Sequence, residues 1–172
     1  PSGRRSSVRL RKSIVVFNLS RAARARASRQ QRSAPGPPAA TSALAVSTDT
    51  RSMAPWALFV ALEGERFNGH AFVDEAVATG ATGLLVSTPV PAVPGRTLLI
   101  VDNTLVAYQR LARAIRRATG TPVVAITGSA GKTTTKEVTA TLLGLRYPRV
   151  FRNRGNLNNH VGLPQSLIEL RD

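Results

Sequence analysis

The stretch that most constrains this chain reads Pro122-Val123-Val124-Ala125-Ile126-Thr127-Gly128-Ser129-Ala130-Gly131-Lys132-Thr133-Thr134-Thr135-Lys136-Glu137. Val123, Val124, Ala125 and Ile126 form a short continuous apolar run, the pattern of a strand covered on both faces. Gly128 and Gly131 then allow a tight backbone path. From Lys132 onward the residues can start a helix whose first N–H groups lack partners within the helix. Unpaired amides, the positive end of a helix dipole and an ammonium converge on one point, which makes an anion site. A nucleoside triphosphate is its natural guest.

The spacing needs an explanation. A generic phosphate loop has four residues between its first glycine and the Gly-Lys pair. Here Gly128 and Gly131 enclose only Ser129 and Ala130, and Ile126 stands where the generic first glycine belongs. Read strictly, the motif fails, and the bland alternative is a strand, a turn and a helix that happens to begin Lys-Thr. Placement between strand and helix favours the phosphate loop. The three consecutive threonines also need a reason, because β-branched residues are poor helix formers. A hydroxyl on Mg²⁺ supplies one for Thr133.

Charge has to be located before it is interpreted. The chain of 172 residues carries a formal net charge of +15. Its first 33 residues hold ten Lys or Arg and no acid, which leaves 14 basic against 9 acidic side chains in the rest. The basic character therefore belongs mostly to the N-terminal segment. Hydrophobic content of 42% suffices for a core. There is no cysteine, so disulfides and thiolate metal sites are excluded. No apolar run approaches the roughly 18 residues of a membrane span.

Taken in order, residues 1–40 form a basic, Pro- and Ala-rich zone that closes in the breaker-rich Ala34-Pro35-Gly36-Pro37-Pro38. It reads as a nucleic-acid or membrane-surface arm, as an organellar transit peptide, or as a disordered stretch without a role, a mistranslated start included. The disordered reading is the expectation. Residues 41–119 form a first globular domain, with strands expected over residues 57–62, 82–87 and 97–101. Helices are expected over residues 70–79, with His70 as its cap, and 104–118. On the second of these Arg110, Arg113, Arg116 and Arg117 read as a solvated face. Residues 120–172 open a second domain with the phosphate loop, a helix over residues 132–143, a strand over 148–151 and a helix beginning near Pro164. The fold class is α/β: a small N-terminal α/β substrate domain, then a parallel-sheet phosphate-loop domain expected to be truncated.

Three separated stretches resemble the Mur ligase family. The first is Ser47-Thr48-Asp49-Thr50-Arg51 with Leu58-Phe59-Val60-Ala61-Leu62-Glu63-Gly64-Glu65-Arg66-Phe67-Asn68-Gly69-His70. The second is Thr127 to Glu137, whose shortened loop accounts for the failed generic spacing. The third is Gly155-Asn156-Leu157-Asn158-Asn159-His160-Val161-Gly162-Leu163-Pro164. The resemblance covers residues 44–172. It is closest to the branch that joins D-alanyl-D-alanine to UDP-N-acetylmuramoyl-tripeptide in the cytoplasmic stage of peptidoglycan synthesis.

That resemblance implies ATP and Mg²⁺ as cofactors and an acyl-phosphate route. It implies that Gly128, Ser129, Ala130, Gly131, Lys132, Thr133 and Thr134 hold the nucleotide, with Lys132 and Thr133 catalytic and Thr133 on the metal. Thr48, Thr50, Glu65, Arg66 and Phe67 are then the candidates for the UDP end of the substrate, and Asn158 and Asn159 lie near substrate and phosphates. Asp49 and Arg51 divide evenly between a ligand contact and a turn organiser. The family's later metal ligands, modified lysine and C-terminal domain are missing, so the expectation is an inactive ligase fragment, monomeric when full length. Other ATP-dependent Mur or folylpolyglutamate-type ligases remain as alternatives. So does a basic nucleic-acid-binding module with a degenerate phosphate loop.

Overall fold

The computed structural model describes residues 13–18, 45–65, 67–153 and 157–171. They divide into two compact units, one within Arg29–Ala112 and one formed from the described parts of Pro1–Ser28 and Arg113–Asp172.

The first unit is built on a four-stranded parallel sheet of β2 (Ala45–Ser47), β3 (Ala57–Val60), β6 (Gly83–Val86) and β7 (Thr97–Ile100), in the order β2-β3-β6-β7. Every residue of β6 is buried, and β3 is nearly so, which is why both read as apolar runs without alternation. Phe59, Leu84, Val86 and Ala57 form the core with Met53, and Val73 and Ala76 of helix α1 (Val73–Ala78) pack into the same cluster. Between β3 and α1 the chain makes a small antiparallel hairpin of β4 (Glu63–Gly64) and β5 (Phe67–Asn68), then a single 3-10 turn, Gly69–Phe72. The helix expected from residue 70 thus starts three residues later, and His70 is not its cap. Asn68 caps the 3-10 turn ahead of it, its side-chain oxygen accepting from the His70 N–H at 3.0 Å, and α1 itself carries no side-chain cap. An Asn two residues before a free amide competes better for it than an imidazole does.

Helix α2 (Thr104–Thr119) carries the boundary between the units. It buries Tyr108, Ala112 and Ile115, while Arg110, Arg113 and Arg117 are exposed and Arg116 half-buried, as the solvated-face reading requires.

The second unit has a three-stranded parallel sheet ordered β8-β1-β9, from β8 (Val123–Ile126), β1 (Ser13–Asn18) and β9 (Arg149–Arg152). Helix α3 (Lys132–Gly144) connects β8 to β9, and α4 (Gly162–Ile168) follows. Two expectations are corrected here. Residues 13–18 lie in the segment read as disordered, yet they form the central strand, Val15 opposite Val123 and Phe151. The run Ser13-Ile14-Val15-Val16-Phe17-Asn18 is β-branched and apolar, so its strand preference is strong once it is separated from the arginines around it. The second correction concerns β8, expected to be buried on both faces. Val123 and Ala125 are exposed and Val124 and Ile126 half-buried. The strand lies at the edge of its sheet, and among the described residues α3 is the helix packed on that sheet.

Candidate functional site

The stretch expected to be a phosphate loop folds as a strand, a turn and a helix start. Gly131 is the residue before α3, at φ +73°, in the left-handed region where a side chain would be strained. Open space surrounds the position its Cβ would take, so backbone conformation rather than crowding demands the glycine. The Thr135 N–H makes the first helical bond, to the Gly131 carbonyl at 2.9 Å. The amides of Lys132, Thr133 and Thr134 precede it and face outward from a 13-residue helix. Gly128, Ser129 and Ala130 are exposed, as are Thr133 and Thr134.

Lys132 folds back over the turn. Its ammonium donates to the carbonyl oxygens of Gly128 at 2.9 Å and Ser129 at 3.3 Å. The cation is thus held above the loop by weak, solvent-exposed acceptors that an anion would replace. The third threonine finds a partner within the helix: the Thr135 hydroxyl donates to the Gly131 carbonyl at 2.9 Å. That leaves Thr133 and Thr134 with their hydroxyls at the surface of the first turn. Among the described residues no group of three His, Cys, Asp or Glu could hold a metal.

Beyond β9 the chain returns to the same sheet edge, since β8 and β9 both run parallel to β1. Asn159 caps α4: its side-chain oxygen accepts from the N–H groups of Val161 at 3.0 Å and Gly162 at 2.8 Å. Gly162 is required by contact, because a Cβ there would stand 2.6 Å from the Cα of Leu157. Pro164 follows in the first turn, where a missing N–H costs nothing. Asn158 is half-buried and His160 exposed. Residues 154–156, which hold the start of this motif, lie outside the described residues.

In the first unit the sequence candidates gather at the carboxyl edge of the four-stranded sheet, the edge where open α/β sheets bind ligands. Thr48 and Thr50 belong to the turn after β2, Thr48 half-buried and Thr50 buried. Asp49 organises that turn. It caps the 3-10 turn Thr50–Ser52 through the Arg51 N–H at 3.1 Å and takes a forked pair from the Arg51 guanidinium, Nε to Oδ1 at 2.9 Å and Nη2 to Oδ2 at 2.6 Å. The hydrogen bonds from the Arg51 side chain, then from its backbone N–H, hold the Asp49 carboxyl down to about 2. The same pairing raises the Arg51 guanidinium above its ordinary value. Glu65 and Phe67 project from the β4–β5 hairpin, where the Phe67 ring stacks on Phe72 with centroids 5.5 Å apart. Arg66 lies outside the described residues.

Sequence reasoning missed two groups. His70 ties the hairpin to the end of β6: its Nε2 accepts from the Ser87 N–H at 2.9 Å, while Nδ1 lies 2.9 Å from the Asn68 side-chain oxygen. An acceptor at Nε2 and an acceptor facing Nδ1 fix the neutral Nδ1–H tautomer. The Asn-x-His spacing was the available signal. Lys136, by contrast, lies buried on α3 with nothing in the sequence to mark it.

Residues 44–130 match the model of the Mur ligase family, catalytic domain, and residues 126–172 that of the Mur ligase middle domain. The UDP-N-acetylmuramoyl-tripeptide–D-alanyl-D-alanine ligase of Bacillus subtilis (strain 168) is 44% identical over 126 residues, which is 73% of this chain and 27% of that protein. The ligase of the same name from Escherichia coli (strain K12) is 47% identical over 126 residues, again 73% and 27%. A crystal structure of MurF from Acinetobacter baumannii superposes with a TM-score of 0.68 at 40% identity, over 74% of this chain and 28% of that one. The MurF ligase of Thermotoga maritima, solved in complex with ADP, gives 0.64 at 34% identity, over 72% and 28%. The chain therefore spans about a quarter of the length of the curated relatives it matches. With both family models matched in order across residues 44–172, the chain belongs to the Mur ligase family.

Proposed function

We propose that this chain supplies the UDP-binding and phosphate-binding parts of an ATP-dependent ligase that joins D-alanyl-D-alanine to UDP-N-acetylmuramoyl-tripeptide. The observation that carries the reading is the Gly128–Lys132 turn, with a left-handed Gly131, three outward amides and a lysine lying over exposed carbonyls. A relative solved in complex with ADP supports nucleotide use.

In this reading the tripeptide carboxylate attacks the γ-phosphorus of ATP, the bond to the β-phosphate oxygen breaks, and an acyl phosphate and ADP result. The D-alanyl-D-alanine amine then attacks the acyl carbon, and the tetrahedral adduct expels phosphate to leave an amide. Phosphoryl transfer of this kind is mostly positioning and charge neutralisation. The loop amides would hold phosphate oxygens, Lys132 would exchange the Gly128 and Ser129 carbonyls for phosphate oxygens, and Thr133 would offer its hydroxyl to Mg²⁺. Thr48, Glu65 and Phe67 are the surface available to the UDP end, and Arg66 joins them in this reading by its place in the motif alone. Buried Thr50 serves by shaping the Asp49 turn instead. Asn158 stays the substrate candidate of the pair in this reading, and Asn159 acts through its cap on α4. The step consumes ATP and belongs in the cytoplasm. No helix among the described residues is long and apolar enough to cross a membrane.

A chimera tests the assignment: residues 44–172 replace the matching stretch of the Bacillus subtilis relative. ADP release that depends on both UDP-N-acetylmuramoyl-tripeptide and D-alanyl-D-alanine is expected. A folded chimera without amine-dependent ADP release would falsify the reading. Within the chimera, Lys132→Ala should lower turnover by at least about a hundredfold while the UDP substrate still binds.

A further inference from the structure

Lys136 is a charged side chain that the phosphate chemistry does not use. It lies one turn into α3, on the face that also buries Ala140, and is only 4% exposed. Its ammonium donates to the carbonyl oxygen of Asn153 at 3.0 Å and stands 3.0 Å from Oε1 of Glu137. Oε2 of the same glutamate is 3.2 Å from Arg152. A buried cation is costly where Leu or Met would pack as well. What an ammonium adds is a fixed hold on a backbone carbonyl 17 residues away. It also adds charge, because two cations share one carboxylate and the cluster keeps a net positive charge.

The carbonyl it holds is well placed. Asn153 is the first residue after β9 and is 1% exposed, and its side-chain amide reaches toward the Leu157 carbonyl at 3.5 Å. Leu157 lies against Gly162, and Asn159 caps α4 at the same residue. A line of contacts thus runs from the first turns of α3, through Lys136 and Asn153, to residues 157–162. The phosphate loop sits at the start of that same helix.

Building on the phosphate-loop reading above, we propose that Lys136 is a positioning residue that couples anion binding at the loop to the order of residues 157–168. A phosphate that draws Lys132 off Gly128 and Ser129 tightens the first turn of α3. Lys136 transmits the change to Asn153, and Asn153 to the Asn158–Asn159 segment. Neither Lys136 nor Asn153 touches the phosphate.

Amide hydrogen exchange on the 172-residue chain, with and without MgATP, tests this. In the unaltered chain MgATP should slow exchange of residues 157–168 by about threefold or more. Lys136→Met should bind MgATP with a Kd within about threefold of the parent, keep ligand protection of residues 128–135, and lose it over 157–168. Lys136→Arg, which keeps donor and charge, should retain the protection. Full protection of 157–168 in the Met variant overturns the proposal, as does equal loss in the Met and Arg variants. If the Met variant fails to fold, Lys136→Gln replaces it, with at most half the parental protection expected and full protection again overturning the idea. If the unaltered chain binds no MgATP, the phosphate-loop reading is what fails. The tie is then judged without ligand: faster exchange of 157–162 in Lys136→Met than in the parent upholds it, and unchanged exchange overturns it.

Discussion

Trp56 holds a backbone conformation that its side chain resists. Its φ is +67°, a region that bulky residues rarely occupy, and its ring is 60% exposed, so little packing offsets the strain. The conformation is set by its neighbours: the Trp56 N–H donates to the Gly80 carbonyl, and its own carbonyl accepts from the Thr82 hydroxyl. Trp56→Gly should therefore stabilise the first unit by about 1 kcal/mol, relief of strain outweighing glycine's extra chain entropy. Circular dichroism is the probe to use, since Trp56 is the chain's one tryptophan. A lower denaturant midpoint would count against it. The Asp49–Arg51 pair makes a second residue-level prediction. A carboxyl held at about 2 stabilises the turn fully above its ordinary 3.8, and the contribution is lost as pH falls through the folded value. Arg51→Ala should move the Asp49 midpoint back up toward 3.8, followed through its carboxyl carbon by NMR. An unmoved midpoint would mean that the guanidinium is not what holds it down.

Among the elements, β6 and β8 look alike in sequence and differ in the fold. Both are four-residue apolar strands, yet β6 is buried throughout while β8 alternates between exposed and half-buried. Composition cannot separate them, because the difference lies in what covers each strand. Leu84→Ala, at 1% exposure, should cost about 2–5 kcal/mol. Val123→Thr, at 37%, should stay within about 0.5 kcal/mol. Chemical denaturation of both variants checks the contrast, and similar losses would show β8 to be covered after all. What was legible at this scale were the elements whose pattern is local: the apolar run at Val123, the glycines before Lys132, the heptad-like stripe of Tyr108, Ala112 and Ile115. The strand at Ser13 escaped notice because the arginines around it dominate the average. The hairpin of β4 and β5 escaped because two-residue strands carry no periodicity. Lys136 escaped because its burial follows from where Asn153 returns, a contact 17 residues off.

For the whole molecule the division into two units has a direct test. β1 is the middle strand of its sheet, so without it β8 and β9 have no ladder between them. Deleting residues 1–18 should abolish amide protection of β8 and β9 and leave β3 and β6 as protected as before, as read by hydrogen exchange. Protection that survives in β8 and β9 would show that β1 is dispensable to the sheet. The order β8-β1-β9 also bears on synthesis. Ser13–Asn18 leaves the ribosome before either of its partners, which begin at Val123 and Arg149. At a translation rate of about 5–20 residues per second, that strand waits roughly 5–20 s before its first partner has been made. The sheet of the first unit can close within that interval, so the nascent chain acquires that sheet well before the turn at Gly128–Lys132 is complete.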